Sequence, residues 1–287
     1  MKHLSMGHWI AICVLLLTVS SAMAGSFAAA VVSYDPGATP AAKWPAWDPF
    51  TNAWAALGAP DGLTEGFMGA PNILSVFNPA DGLDEIVSIG EGGHLTLWLE
   101  NFLVVGEGPE LGVFTHVGLA EADWENPSGT AGSPAVAFGV DPVTVEASAD
   151  GQQWASLGQV TMDRPTNFYA DAASPYLASG EGLAAADFSQ PFTSPLSDFS
   201  GKNWGQILTL LDGSAGGTWL DLSSTGLSQV KFVRFSVADD ANSLTNLNFE
   251  VDSVSIAAGH IGAVAPEPVS AMLLLAGGLA GLRRRRS

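Results

Sequence analysis

From Val87 onward, apolar residues recur in short runs separated by Gly, Pro, Asn and Asp. His94-Leu95-Thr96-Leu97-Trp98-Leu99-Glu100 alternates, which puts Leu95, Leu97 and Leu99 on one face of a strand. Leu111-Gly112-Val113-Phe114-Thr115 follows a Gly-Glu-Gly-Pro-Glu turn and reads as a second strand. Val143 to Ser148 and Gln153 to Gly158 flank Asp150-Gly151, the strongest short hairpin signal, because both residues tolerate positive φ. Strands resume at Gly217 to Leu222 and at Val230 to Val237, where Val233, Phe235 and Val237 share a face. In the last run, Phe249 to Ile256, the apolar phase flips midway, and a bulge near Asp252 restores the register. No repeat, heptad or long helical periodicity interrupts this pattern. It predicts an all-β fold of the jelly-roll sandwich type.

Two stretches depart from the pattern. The segment up to Ala80 is dominated by turn sequences such as Tyr34-Asp35-Pro36-Gly37 and Pro60-Asp61-Gly62. Trp44, Trp47 and Trp54 lie among them. Such a cluster either covers the end of the sandwich core, the reading favoured here, or forms a stacking platform for sugars. Between Thr161 and Lys202, six Ser, four Pro and many Ala predict a long insertion or loop in place of core strands.

The chain ends carry a different chemistry. Lys2, the apolar run Trp9 to Val19 and the small-x-small site Ala22-Met23-Ala24 before Gly25 make a secretory signal peptide over 1–24, cleaved between Ala24 and Gly25. An uncleaved anchor is the alternative. The body then occupies 25–260, and 261–287 is a linker and tail. In the tail, Pro266-Glu267-Pro268 precedes an uncharged run that contains Leu273, Leu274 and Leu275 and stops at Arg283, Arg284, Arg285 and Arg286. The 17 residues from Pro266 to Leu282 sit at the short end of a membrane-spanning helix. Four arginines hold that end in the cytoplasm. The two prolines keep the chain outside extended and accessible. The expected molecule is thus a sandwich flanked by an N-terminal signal helix and a C-terminal hydrophobic helix.

Charge fits export. The residues from Gly25 to Ala265 hold 28 of the 29 acids and five bases, a net charge of −23. Such a surface repels nucleic acid and anionic membranes. The single cysteine, Cys13, lies in the signal peptide, so the body forms no disulfide. The body's histidines, His94, His116 and His260, lack metal-ligand spacing and read as surface or strand-end residues. Asp212-Gly213-Ser214-Ala215-Gly216 lacks the first glycine of a nucleophile elbow, so a serine hydrolase is not expected. Hard-oxygen donors at Asp239, Asp240, Asn242, Glu250 and Asp252 are candidate ligands for Ca2+, against the plainer reading of a solvated acidic loop.

Pro266-Glu267-Pro268, the Leu/Ala/Gly-rich span and the arginine cluster together resemble the PEP-CTERM sorting signal of Gram-negative bacteria. That resemblance implies cleavage at or near the motif by exosortase, after signal peptidase has acted at the other end. It implies transient anchoring in the inner membrane, then transfer to the outer surface or extracellular matrix. A second resemblance covers about Ala55 to Ile256. Val87 to Leu97, Gly108 to Phe114, Val145 to Trp154 and Phe232-Val233-Arg234-Phe235 look like discoidin or galactose-binding-like jelly rolls. Glu250 and Glu110 stand where relatives tend to carry aspartate. The expected function is an exported surface module that binds carbohydrate, such as exopolysaccharide of a biofilm, and not an enzyme. The alternatives are a secreted glycosidase-like hydrolase with an unrecognised acid pair and a matrix filler without a ligand.

Overall fold

The computed structural model describes residues 26–65, 71–176, 183–239 and 247–262. The signal segment, the whole sorting tail from Pro266 to Arg286, Asp240 and Asn242 lie outside them. Among the described residues, no helix is long and apolar enough to cross a membrane.

In chain order the strands are β1 (Ala28–Asp35), β2 (Ala42–Lys43), β3 (Asp48–Pro49), β4 (Leu63–Glu65), β5 (Pro71–Ile73), β6 (Val87–Gly90), β7 (His94–Val104), β8 (Leu111–Phe114) and β9 (Gly118–Leu119). They continue as β10 (Ala137–Phe138), β11 (Pro142–Ser148), β12 (Ala155–Thr161), β13 (Thr218–Leu220), β14 (Gln229–Ser236), β15 (Asn248–Val251), β16 (Ser253–Ile256) and β17 (Ile261–Gly262). The large sheet runs β1-β7-β14-β11-β12, with β17 also on β7, and every pairing is antiparallel. Facing it are β13-β8-β16 and the pair β15-β6. Alternation dictates which side chains meet between the layers. Leu95, Leu97, Leu99, Val233, Phe235, Val143 and Val145 come from the large sheet; Leu111, Val113, Val87, Ile89, Val254 and Ile256 come from the other layer. The expected all-β class and its central strands are therefore present, as two antiparallel layers over one core.

Four expectations are revised. The Asp150-Gly151 hairpin is wider than a two-residue turn, since Ala147 pairs with Ala155. Only Gly151 of the two has positive φ; Asp150 works through its side chain, which accepts from Gln152 and Gln153 N–H. Asp252 is not a bulge within one strand. It is the junction between β15, which pairs with β6, and β16, which pairs with β8. Both halves are buried on both faces, so the phase flip marks a change of partner.

Third, the early segment contains β1, an edge strand. Its run Ala-Ala-Ala-Val-Val-Ser-Tyr-Asp does not alternate, because two register shifts twist it against β7. Fourth, the described part of 161–202 lacks core strands beyond the end of β12, as expected, yet it is no surface excursion. It places Met162, Phe188, Phe192 and Phe199 in the interior. A helix, Trp204–Leu211, closes this side. Asn203 caps it reciprocally with Gln206, and Trp204, Ile207 and Leu211 supply its buried stripe.

Candidate functional site

The hairpin β2-β3 displays Trp44 and Trp47 on its four-residue turn, with Trp47 N–H bonded to Lys43 O at 2.7 Å. Its base is fixed from both sides. Ala41 N–H donates to Ser88 Oγ at 2.9 Å, Phe50 N–H to Ala41 O at 3.0 Å, and Ser88 N–H to Phe50 O at 2.7 Å. Phe50 plugs a small apolar cluster with Leu74, Ala80 and Ile86. The tip, in contrast, leaves Trp44 58% and Trp47 68% exposed. This overturns the favoured reading that these tryptophans cover the core. Trp47 also stands at φ 60°, in a region that disfavours a bulky side chain by about 1–3 kcal/mol. The turn thus combines local strain with forgone burial on a well-anchored stem.

Trp54 is carried elsewhere, on a 3₁₀ turn (Ala53–Ala56) capped by Asn52, and is 71% exposed. Ala53 and Ala56 face the core, so the intervening Trp54 faces out. A further exposed tryptophan, Trp124, was not singled out by sequence reasoning. It stands 79% exposed on a loop clamped by Glu121, whose carboxylate accepts from Gly129 N–H, Thr130 N–H and Tyr176 O–H. Burial and the Glu121 carboxylate together push the Tyr176 phenol far above its ordinary range. The signal available in the sequence was the Asp-Trp-Glu-Asn-Pro context, a turn with an aromatic inside it.

The candidate cation ligands have dissimilar surroundings. Asp239 is exposed beside Gly92. Glu250 is buried; Ser88 Oγ donates to its Oε1 at 3.1 Å, which ties it to the hairpin base. Burial raises its carboxyl above the usual range; His116 opposes this and Asp141 reinforces it. Asp252 is buried, and its Oδ2 has no hydrogen-bond partner. Burial pushes its carboxyl well above the ordinary value, and the charges of Asp61 and Glu85 push the same way. Among the described residues, no three His, Cys, Asp or Glu side chains are grouped to hold a metal. Glu250 and Asp252 share a segment but different charge partners, and their burial favours the protonated form.

The remaining polar candidates have structural partners. His94 Nε2 lies 3.1 Å from Ser33 Oγ, His116 Nδ1 bonds Ala80 O, and His260 Nδ1 lies 3.0 Å from Val104 O. Ser214 is buried with its hydroxyl donated to Gln190 O at 2.8 Å. Glu110 is wholly buried and accepts from Gly106 and Leu222 N–H, each at 2.8 Å, so it fastens two turns.

No family model matches the chain, and no curated protein matches it. Among solved structures, the chain is similar to the CBM32-3 module of a family 31 glycoside hydrolase from Clostridium perfringens, with 11% identity over 60% of this chain and 74% of that one, and a TM-score of 0.23.

Proposed function

We propose that this chain is an exported surface or matrix protein whose jelly-roll body is a non-catalytic carbohydrate-binding module. Trp44 and Trp47 are its stacking platform. The observation that carries this is the pair of largely exposed indoles on a turn whose stem is pinned. A tryptophan gains roughly 1.5–3 kcal/mol when buried. A fold that holds two of them out of the core, one in a strained conformation, has them available for a ligand with flat apolar faces. Sugar rings offer such faces, and their hydroxyls tolerate the wet surroundings. The net charge of −23 between Gly25 and Ala265 argues for a neutral polysaccharide over nucleic acid or anionic lipid. Export and processing at Pro266-Glu267-Pro268 complete the proposal and rest on the residues of the two ends.

The test is binding of the purified protein to a glycan array and to insoluble polysaccharides, with and without Trp44→Ala and Trp47→Ala. Each substitution is expected to weaken binding by about tenfold, in line with ~1–3 kcal/mol per stacked ring, while the thermal melt stays within ~1–2 °C. Undiminished binding by the double variant would overturn the platform. Release of reducing ends would replace the module by a hydrolase.

A further inference from the structure

The outer face of the large sheet carries a groove that the tryptophan turn does not explain. Register sets its layout. Glu146, Arg234 and Thr96 lie directly opposite one another across β11, β14 and β7. Two residues further along, Thr144, Ser236 and His94 form a second row. Both rows lie on the face of the sheet away from the core, because the residues between them, Val145, Phe235 and Leu95, fill the core; Thr96 is itself covered on that face. At the end where β7 begins, Gly92, Gly93 and Val237 join Glu146, Arg234, His94 and Ser236 of these rows to line an open groove of about 300 Å³. That is the low end of the range for small-ligand sites, ~300–1,000 Å³. Gly93 is glycine for a packing reason, since a Cβ there would stand 2.6 Å from Asp35 O. At Gly92 and Gly93 the groove wall is therefore bare backbone.

We propose that this groove is a second saccharide site, specific for a neutral sugar and gripped by Arg234, Glu146, His94 and Ser236. The inference rests on the carbohydrate reading above and adds a location and a specificity to it. Arg234 directs Nε and one terminal nitrogen to Glu146 Oε2, each at 2.7 Å. Its guanidinium carbon lies 4.2 Å from the centroid of the Trp154 ring. The ion pair and the stack hold the guanidinium in place, so little side-chain freedom is lost when a ligand arrives. The pair offers a donor and an acceptor side by side while its charges offset. Vicinal sugar hydroxyls, each both donor and acceptor, match that arrangement. An anion does not, because the one cation in the groove is already paired and the body is strongly acidic. The Ser33 hydroxyl steadies the His94 ring through Nε2, and Ser236 stands opposite His94.

The experiment uses the whole protein and a panel of methyl glucosides, galactosides, mannosides and N-acetylglucosaminides, with methyl glucuronide as the anionic control. Saturation-transfer NMR and tryptophan fluorescence read the binding. Glu146→Gln and Arg234→Gln are expected to weaken the preferred neutral glycoside at least tenfold. Ser236→Ala, which removes one hydroxyl and leaves the strand pairing intact, is expected to weaken it about threefold with an unchanged melt. The groove is also read with the platform removed: in the Trp44→Ala/Trp47→Ala background, the glycoside binding that remains is expected to fall at least tenfold further on Glu146→Gln or Arg234→Gln. Groove variants that bind like the wild type, while the tryptophan variants do not, would overturn the groove and leave the module standing. Tighter binding of the glucuronide than of every neutral glycoside would overturn the specificity. A wild-type protein that binds neither glycoside nor polymer would remove both readings.

Discussion

Asp252 shows most clearly how one buried carboxyl shapes this molecule. Its Oδ2 is enclosed without a partner, and nearby Asp61 and Glu85 add like charge. Its folded pKa therefore lies above the unfolded one, as does that of Glu250. The sign follows. The stability that the neutral forms contribute is fully present below the unfolded pKa and is lost as pH rises through the folded values. Asp252→Asn keeps the shape without the ionisable proton. At pH 7 it is expected to stabilise the fold by on the order of 1 kcal/mol or more. The two proteins should converge as the pH falls toward 4. Melting curves at both values check this, and a variant that melts below the wild type at pH 7 would mean that the site needs a carboxylate. The sequence marked Asp252 as the point where the apolar phase flips, because side-chain period is legible. It did not reveal the burial, because an aspartate is read as a solvent residue until the strands around it are placed. The exposure of Trp44 and Trp47 escaped for the mirror-image reason: bulk and apolarity favour the core, and only the anchoring of the turn holds them out.

At the level of elements, the strands that alternate cleanly were legible. Leu95, Leu97 and Leu99 do face the core, as do Val233, Phe235 and Val237. What alternation could not supply was the partner of each strand, since pairing is set by packing between distant segments. Two of the elements that were missed show why: their signals are local and short. β1 is an irregular edge strand, and the Trp204–Leu211 helix has eight residues, too few for a periodic pattern to stand out. The helix had a readable start nonetheless: Asn203 and Gln206, three apart, form a capping box in which each side chain accepts from the other's backbone N–H, at 3.1 and 3.0 Å. A helix this short is marginal on propensity alone, so its cap and its packing against Phe77 and Ala172 carry it. Asn203→Ala removes the accepting side chain and leaves the Gln206 N–H unpaired. It is expected to lower stability by about 1 kcal/mol, within the range of ~0.5–2 measured for such caps. Urea denaturation should show a lower midpoint with an unchanged slope. A variant with wild-type stability would show that the packing of Trp204 and Ile207 suffices without the cap.

For the whole molecule, the informative feature is where the described chain enters and leaves. β1 and β17 lie on the same edge of β7, both antiparallel to it. Glu100 N–H donates to Phe27 O, and Gly262 pairs with Phe102. The two ends thus meet β7 two residues apart, about 7 Å at the spacing of a strand. Since both strands run in the same direction, β17 points at the start of β1 and the two together make one interrupted edge strand. The architecture is therefore cyclic in all but the peptide bond. Joining Gly262 to Ser26 through a short Gly-Ser linker and opening the chain between Gly151 and Gln152, in the wide turn between β11 and β12, should give a protein with the same core. The opening breaks no strand pairing, because the hairpin register stops at Ala147 and Ala155. The chain fixed by the new bond is short, so the closure entropy is small. The permuted protein is expected to show the same far-ultraviolet circular dichroism and a melting temperature within ~5 °C, the shift of roughly 1–2 kcal/mol in a domain of this size. A permuted chain that stays unfolded would mean that β17 does not sit in line with β1. A folded one would mean that β17 and β1 act together as one interrupted edge strand against β7.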